Sequence, residues 1–88
     1  MKTESDYLLM LCGVVAAMKK DMPSLNNFAI FGNVINNDVM ELLAVEHATH
    51  TRIDRIDYIE VSNKSDEEIK RLMQLAITNW HDMPNIYK

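Results

Sequence analysis

Apolar residues recur along this chain in three rhythms, and each rhythm predicts a different element. In the last quarter, Ile69, Leu72, Met73, Ala76 and Trp80 follow one another at spacings of three and four, with Lys70, Arg71 and Gln74 off that stripe. This is the pattern of an amphipathic helix. Its start is written as Ser65 followed at the third position by Glu68, a capping box in which each residue satisfies an amide donor of the other. A helix of about 17 residues ending before Pro84 is expected, with Trp80 as the stripe member left partly exposed near its end.

The second rhythm is the absence of one. From Tyr7 to Met18 the run YLLMLCGVVAAM has no charged or strongly polar side chain. Thr3 or Ser5 can cap a helix here, Glu4 and Asp6 lie at the positive end of its dipole, Lys19 and Lys20 lie at the negative end, and Pro23 stops it. Projected at roughly 100° per residue, Tyr7, Leu11, Val14 and Met18 form a bulky stripe, while Cys12, Gly13, Ala16 and Ala17 form a second stripe of small side chains. Both want covering. A smooth small-residue face lets another backbone approach, and Gly13 costs about 1 kcal/mol against alanine in a helix, which close packing would offset. Cys12, Gly13, Ala16 and Ala17 are therefore expected to form the interface of a homo-oligomer, preferentially a homodimer.

Between the helices the third rhythm is β-like. NFAIFGNVI is aromatic and β-branched between turn formers, which predicts a strand with Gly32 at a bulge or a close approach. DYIEVS, just before the capping box, reads as another. DVMELLAVEH is contested: Asp38 and Glu41 have capping-box spacing, yet Asn36-Asn37 between Val34-Ile35 and Val39-Met40 suits a tight hairpin turn. Taking the hairpin gives a single α+β domain over residues 1–88, ordered α-β-β-β-α, with a three-stranded antiparallel meander and two helices able to cover one of its faces. Taking the helix gives an all-α three-helix bundle. The α-β-β-β-α order is similar to that of double-stranded-RNA-binding domains, but where those open their last helix with lysines this chain has Asp66, Glu67 and Glu68.

Length and composition then bound the reading. A chain of 88 residues, 48% hydrophobic and 25% charged, is globular in composition and has room for one core. The net charge of -4 is concentrated: residues 38–68 carry nine acids against Arg52, Arg55 and Lys64, whereas residues 1–37 are balanced. An acidic middle repels a phosphate backbone, so direct nucleic-acid binding is not expected. A protein partner with a basic surface is, with Asp54, Asp57, Glu60 and Trp80 as the contact residues. Twelve apolar residues are too few to cross a membrane, and the acidic flank, with Lys2 outweighed by Glu4 and Asp6, is unlike that of a secretion signal. The lone Cys12 rules out an intrachain disulfide and, in its apolar run, is expected to be a buried, inert thiol in a reducing cytoplasm.

Candidate chemistry is sparse. His47, His50 and Asp54 would share a face if their segment were helical, and two imidazoles with a carboxylate can hold zinc or iron. That makes a metal-binding regulator or metal-dependent enzyme the alternative function. The strand reading scatters these three groups, Cys12 with His47 would meet only by accident of folding, and no Gly-rich phosphate loop is present. No enzyme and no cofactor are expected. The methionines Met10, Met18, Met22, Met40, Met73 and Met83 are expected to serve mostly as core filler. The expected function is that of a small acidic interaction protein that binds, and by binding inhibits, a larger macromolecule, in the manner of the accessory proteins of phages and mobile elements.

Overall fold

The order α-β-β-β-α is the one the chain adopts. The computed structural model describes residues 2–48 and 53–83. Helix α1 (Glu4–Asp21) leads through a short 3-10 turn (Pro23–Asn27) into strands β1 (Phe28–Ile35), β2 (Val39–Glu46) and β3 (Ile53–Glu60), and helix α2 (Asp66–Asp82) closes the chain. The sheet order is β1-β2-β3, antiparallel throughout. The three-helix alternative is thereby overturned: the segment with capping-box spacing is the central strand.

What decides that segment is the turn before it. Asn36 and Asn37 both sit at positive φ, 54° and 63°, left-handed positions that asparagine tolerates, at the centre of a turn in which the Asp38 N–H donates to the Ile35 carbonyl (3.2 Å). Ile35 then faces Val39, and the ladder runs in unbroken register to Phe28 opposite Glu46. In strand geometry Met40, Leu42 and Ala44 alternate onto one face and are fully buried. Against them pack Leu11, Val14, Val15 and Met18 of α1 and Ile69, Met73, Ala76, Ile77 and Trp80 of α2. Three of the methionines, Met18, Met40 and Met73, are thus core residues, while Met83 is exposed.

Both helix starts are chemical stops. Thr3, rather than Ser5, caps α1: its hydroxyl accepts from the Asp6 N–H (3.3 Å) while Asp6 accepts from the Thr3 N–H (2.7 Å). Ser65 and Glu68 make the same reciprocal pair at α2, at 3.2 and 3.3 Å. Pro23 takes the first position of the 3-10 turn, where its missing N–H loses nothing. That turn buries Leu25 completely.

Of the two readings of Gly32, bulge or close approach, the second holds: a Cβ built there would collide with Met40 Cε and lie 3.1 Å from Leu11 Cδ2. The bulge lies in β3 instead, where the register shifts opposite Leu42 and Leu43 and leaves Ile56 without a partner. Strict alternation back from buried Ile59 would point Ile56 outwards and Arg55 into the core. The bulge reverses both, so Ile56 packs on the core and Arg55 faces solvent. This also explains why β3 begins at Ile53, four residues before the stretch expected from the sequence.

Candidate interaction surfaces

The two helices cover only one face of the sheet. On the other face the alternation places Phe31 and Ile35 from β1, Val39, Leu43 and Val45 from β2, and Ile53 and Tyr58 from β3, in register across the three strands. Phe31 is 51% exposed, Ile35 39%, Ile53 64% and Tyr58 47%, so this is an open, largely apolar sheet surface. Two of its charges neutralise each other, and Glu60, opposite Val39, adds one acid at its edge. Arg55 Nε lies 2.9 Å from Glu41 Oε2, and the guanidinium stacks over the Tyr58 ring at 5.1 Å. A hydrogen bond from the Tyr58 hydroxyl, and then the Arg55 charge, hold the Glu41 carboxyl below its ordinary range; the same bond to Glu41 pushes the Tyr58 phenol up.

The sequence of β2 does carry a signal for this face. VMELLAV is nearly continuous in apolar residues, which is how a strand reads when both of its faces are to be covered.

A second surface is electrostatic. The chain direction brings both helix N-termini, the β1–β2 turn and the end of β3 to one end of the molecule: Lys2 pairs with Asp66 across the two helices (2.6 Å), the Asp38 carbonyl accepts from the Val61 N–H (2.8 Å), and Val39 lies opposite Glu60. Glu4, Asp6, Asp38, Glu60, Asp66, Glu67 and Glu68 gather there, seven acids against Lys2 and Lys64. The rest of the chain has no such excess. Glu4 and Asp6 come from a segment that is neutral in sequence and join the pole only in the fold. The two parallel helix dipoles present their positive ends to this cluster, which is why so many acids are tolerated together.

The predicted contact residues are dispersed. Glu60 belongs to the pole, Asp57 is exposed at the bulge, and Asp54 is half-buried opposite Ala44 with an interaction of its own. Trp80 is not partly exposed as expected: it is 6% exposed and packs edge-to-face on Phe28, centroids 5.0 Å apart, because the last turns of α2 lie against the start of β1. It is a core residue and unavailable as a contact.

The small stripe of α1 is uncovered in the protomer. Cys12, Gly13, Ala16 and Ala17 are all exposed and Leu9 is 71% exposed, since α1 meets β1 and α2 through its opposite side. Cys12 is therefore not the buried thiol expected from its apolar neighbours. Beside this stripe an open groove of ≈ 520 Å³ runs between Leu9, Gly13 and Ala17 of α1 and Lys70 and Gln74 of α2.

Of the three groups with ligand-like spacing, His47 lies in the turn after β2 and Asp54 in β3, so no one helix aligns these two, and His50 lies outside the described residues. No group of metal-ligating side chains is found among the described residues. One hydrogen-bonded chain of catalytic composition does occur: Ser24 Oγ bonds His81 Nε2, and His81 Nδ1 lies 3.0 Å from Asp82 Oδ1. Asp82 is 65% exposed, so water screens the charge that a buried carboxylate would direct at the imidazole. These contacts tie the 3-10 turn to the last turn of α2.

The class defined by this architecture is a small α-β-β-β-α domain with one covered and one open sheet face. The chain matches no protein-family model, no curated protein and no solved structure. Among the described residues no helix is long and apolar enough to cross a membrane.

Proposed function

We propose that this chain is a small interaction protein that self-associates and docks its acidic pole on the basic surface of a larger protein, inhibiting that protein by occupying it. The observation that supports this reading is the convergence of acids from four separate parts of the chain on one end, with the helix N-termini behind them. Such a pole steers a basic partner at long range and repels nucleic acid. In this reading the chain performs no chemistry of its own and needs no cofactor. It works in a reducing cytoplasm, where the exposed Cys12 stays a thiol.

The test is affinity capture with the wild type and with a variant carrying Asp38→Asn, Glu60→Gln and Glu67→Gln, three exposed positions of the pole. Capture of a basic protein that is released as salt rises, and that the neutralised variant loses, supports the proposal. A partner held equally by both forms at low and high salt refutes electrostatic docking.

A further inference from the structure

We infer that the second copy in this self-association sits on the open sheet face, two protomers stacking β1-β2-β3 against β1-β2-β3 into a four-layer α/β/β/α dimer. This rests on the self-association put forward above and names the surface that carries it. The first reason is area. Phe31, Ile35, Ile53 and Tyr58 are 51%, 39%, 64% and 47% exposed, and for side chains offering on the order of 150–250 Å² each that leaves about 400 Å² per copy. Leu43 and the stem of Arg55 enlarge it. Two copies together thus offer about 800 Å² from these four side chains, which the further area carries towards the roughly 1,200 Å² total at which specific interfaces begin, and about 400 Å² per copy is the size of patch that monomers often use functionally. The strip on α1 offers one large side chain, Leu9, and otherwise only small ones.

The second reason is charge. Glu41 and Arg55 satisfy one another within each protomer at 2.9 Å, so the centre of the face is neutral although the chain carries -4, and Glu60, opposite Val39, is its one further acid, at the pole end. A basic or acidic partner finds no net charge to match at that centre, whereas a second copy meets the same neutral surface there, as a two-fold interface requires. The exposed aromatics and the stacked arginine are the residue types that anchor such interfaces. Charge also selects the orientation. A two-fold axis in the sheet plane and normal to the strands sends the acidic poles to opposite ends, separated by roughly the 26 Å of an eight-residue strand, beyond the screening length of about 8 Å. The other in-plane axis would set two poles side by side. The strands of the two sheets therefore run antiparallel to one another. Sheets stacked in this way cross at about 30°.

The experiment is light scattering over a micromolar concentration series on the wild type, Phe31→Glu, Ile53→Asp and Ala16→Glu, with circular dichroism on each. All three positions are exposed in the protomer, so each variant keeps its fold. The expected result is twice the 10.2 kDa chain mass for the wild type and Ala16→Glu, and the single chain mass for Phe31→Glu and Ile53→Asp. Native Cys12 should also react with a maleimide equally fast in the dimer and in the Ile53→Asp monomer, because the sheet interface leaves α1 free. A doubled mass retained by both sheet variants but lost in Ala16→Glu, with Cys12 protected in the wild type, would place the dimer on α1 and overturn the inference while leaving self-association intact. A wild type that stays at one chain mass throughout overturns both.

Discussion

At the residue scale the two glycines are opposites, although each interrupts an apolar run. Gly13 has nothing within 4 Å of where its Cβ would be, so in the protomer it is only a weak point of α1. Gly13→Ala should raise stability by about 0.5–1 kcal/mol through helix propensity alone. Gly32 is held against Met40 and Leu11, and Met40 is fully buried with little room to move. Gly32→Val should cost about 2 kcal/mol by overpacking, despite the better strand propensity of valine. Chemical denaturation of the two variants checks both, and a Gly32→Val protein as stable as wild type would contradict the close approach. The sequence places Gly13 in a helix and Gly32 in a strand but does not record the room at either; only the element that crosses above decides which has space.

Among the elements, the helices were the most legible and their capping boxes carry a pH dependence. The Asp6 carboxyl, accepting from the Thr3 N–H, and the Glu68 carboxyl, accepting from the Ser65 N–H, are both held below their ordinary values of 3.8 and 4.5. A carboxylate whose folded pKa is depressed binds fewer protons folded than unfolded, so its contribution is complete above the ordinary value and disappears as pH falls through the lowered one. Urea midpoints measured downward from neutral pH should therefore decline through the carboxylate range, and Asp6→Asn with Glu68→Gln should flatten that decline. Ser65→Ala, which removes the other half of the α2 box, should cost about 1 kcal/mol at neutral pH. The strands were less legible at their limits. The bulge at Ile56 is invisible to pattern reading because it exists to repair a mismatch between strict alternation and which side chains the core can accept.

For the molecule as a whole, a single core joins both helices to one sheet face, and Trp80 on Phe28 locks α2 to β1 within it. A domain of this size holds about 5 kcal/mol or little more, so Trp80→Ala, at about 3–5 kcal/mol, should leave the chain largely unfolded at body temperature. In the wild type the fluorescence of this one tryptophan and the far-ultraviolet circular dichroism should report the same transition midpoint. Separate midpoints would show that α1 or the sheet melts on its own. The surfaces emerge only at this scale. Asp54, Asp57 and Glu60 are close in sequence yet fall to a half-buried site, the bulge and the pole, while Glu4 and Glu67 are far apart and end as neighbours at the same end.

By itself the sequence determined the local elements: two capped helices and, at Asn36-Asn37, a turn whose hairpin reading gives the α-β-β-β-α order. These follow from interactions spanning a few residues, which the sequence writes out directly. The tertiary structure alone decided which apolar positions stay wet. Trp80 and Cys12 exchange their expected places, because burial depends on which element lies opposite. The acidic pole and the open sheet face have the same origin, since a surface is the sum of side chains brought together by chain direction, and neither helix period nor strand alternation records what stands on the far side of a layer.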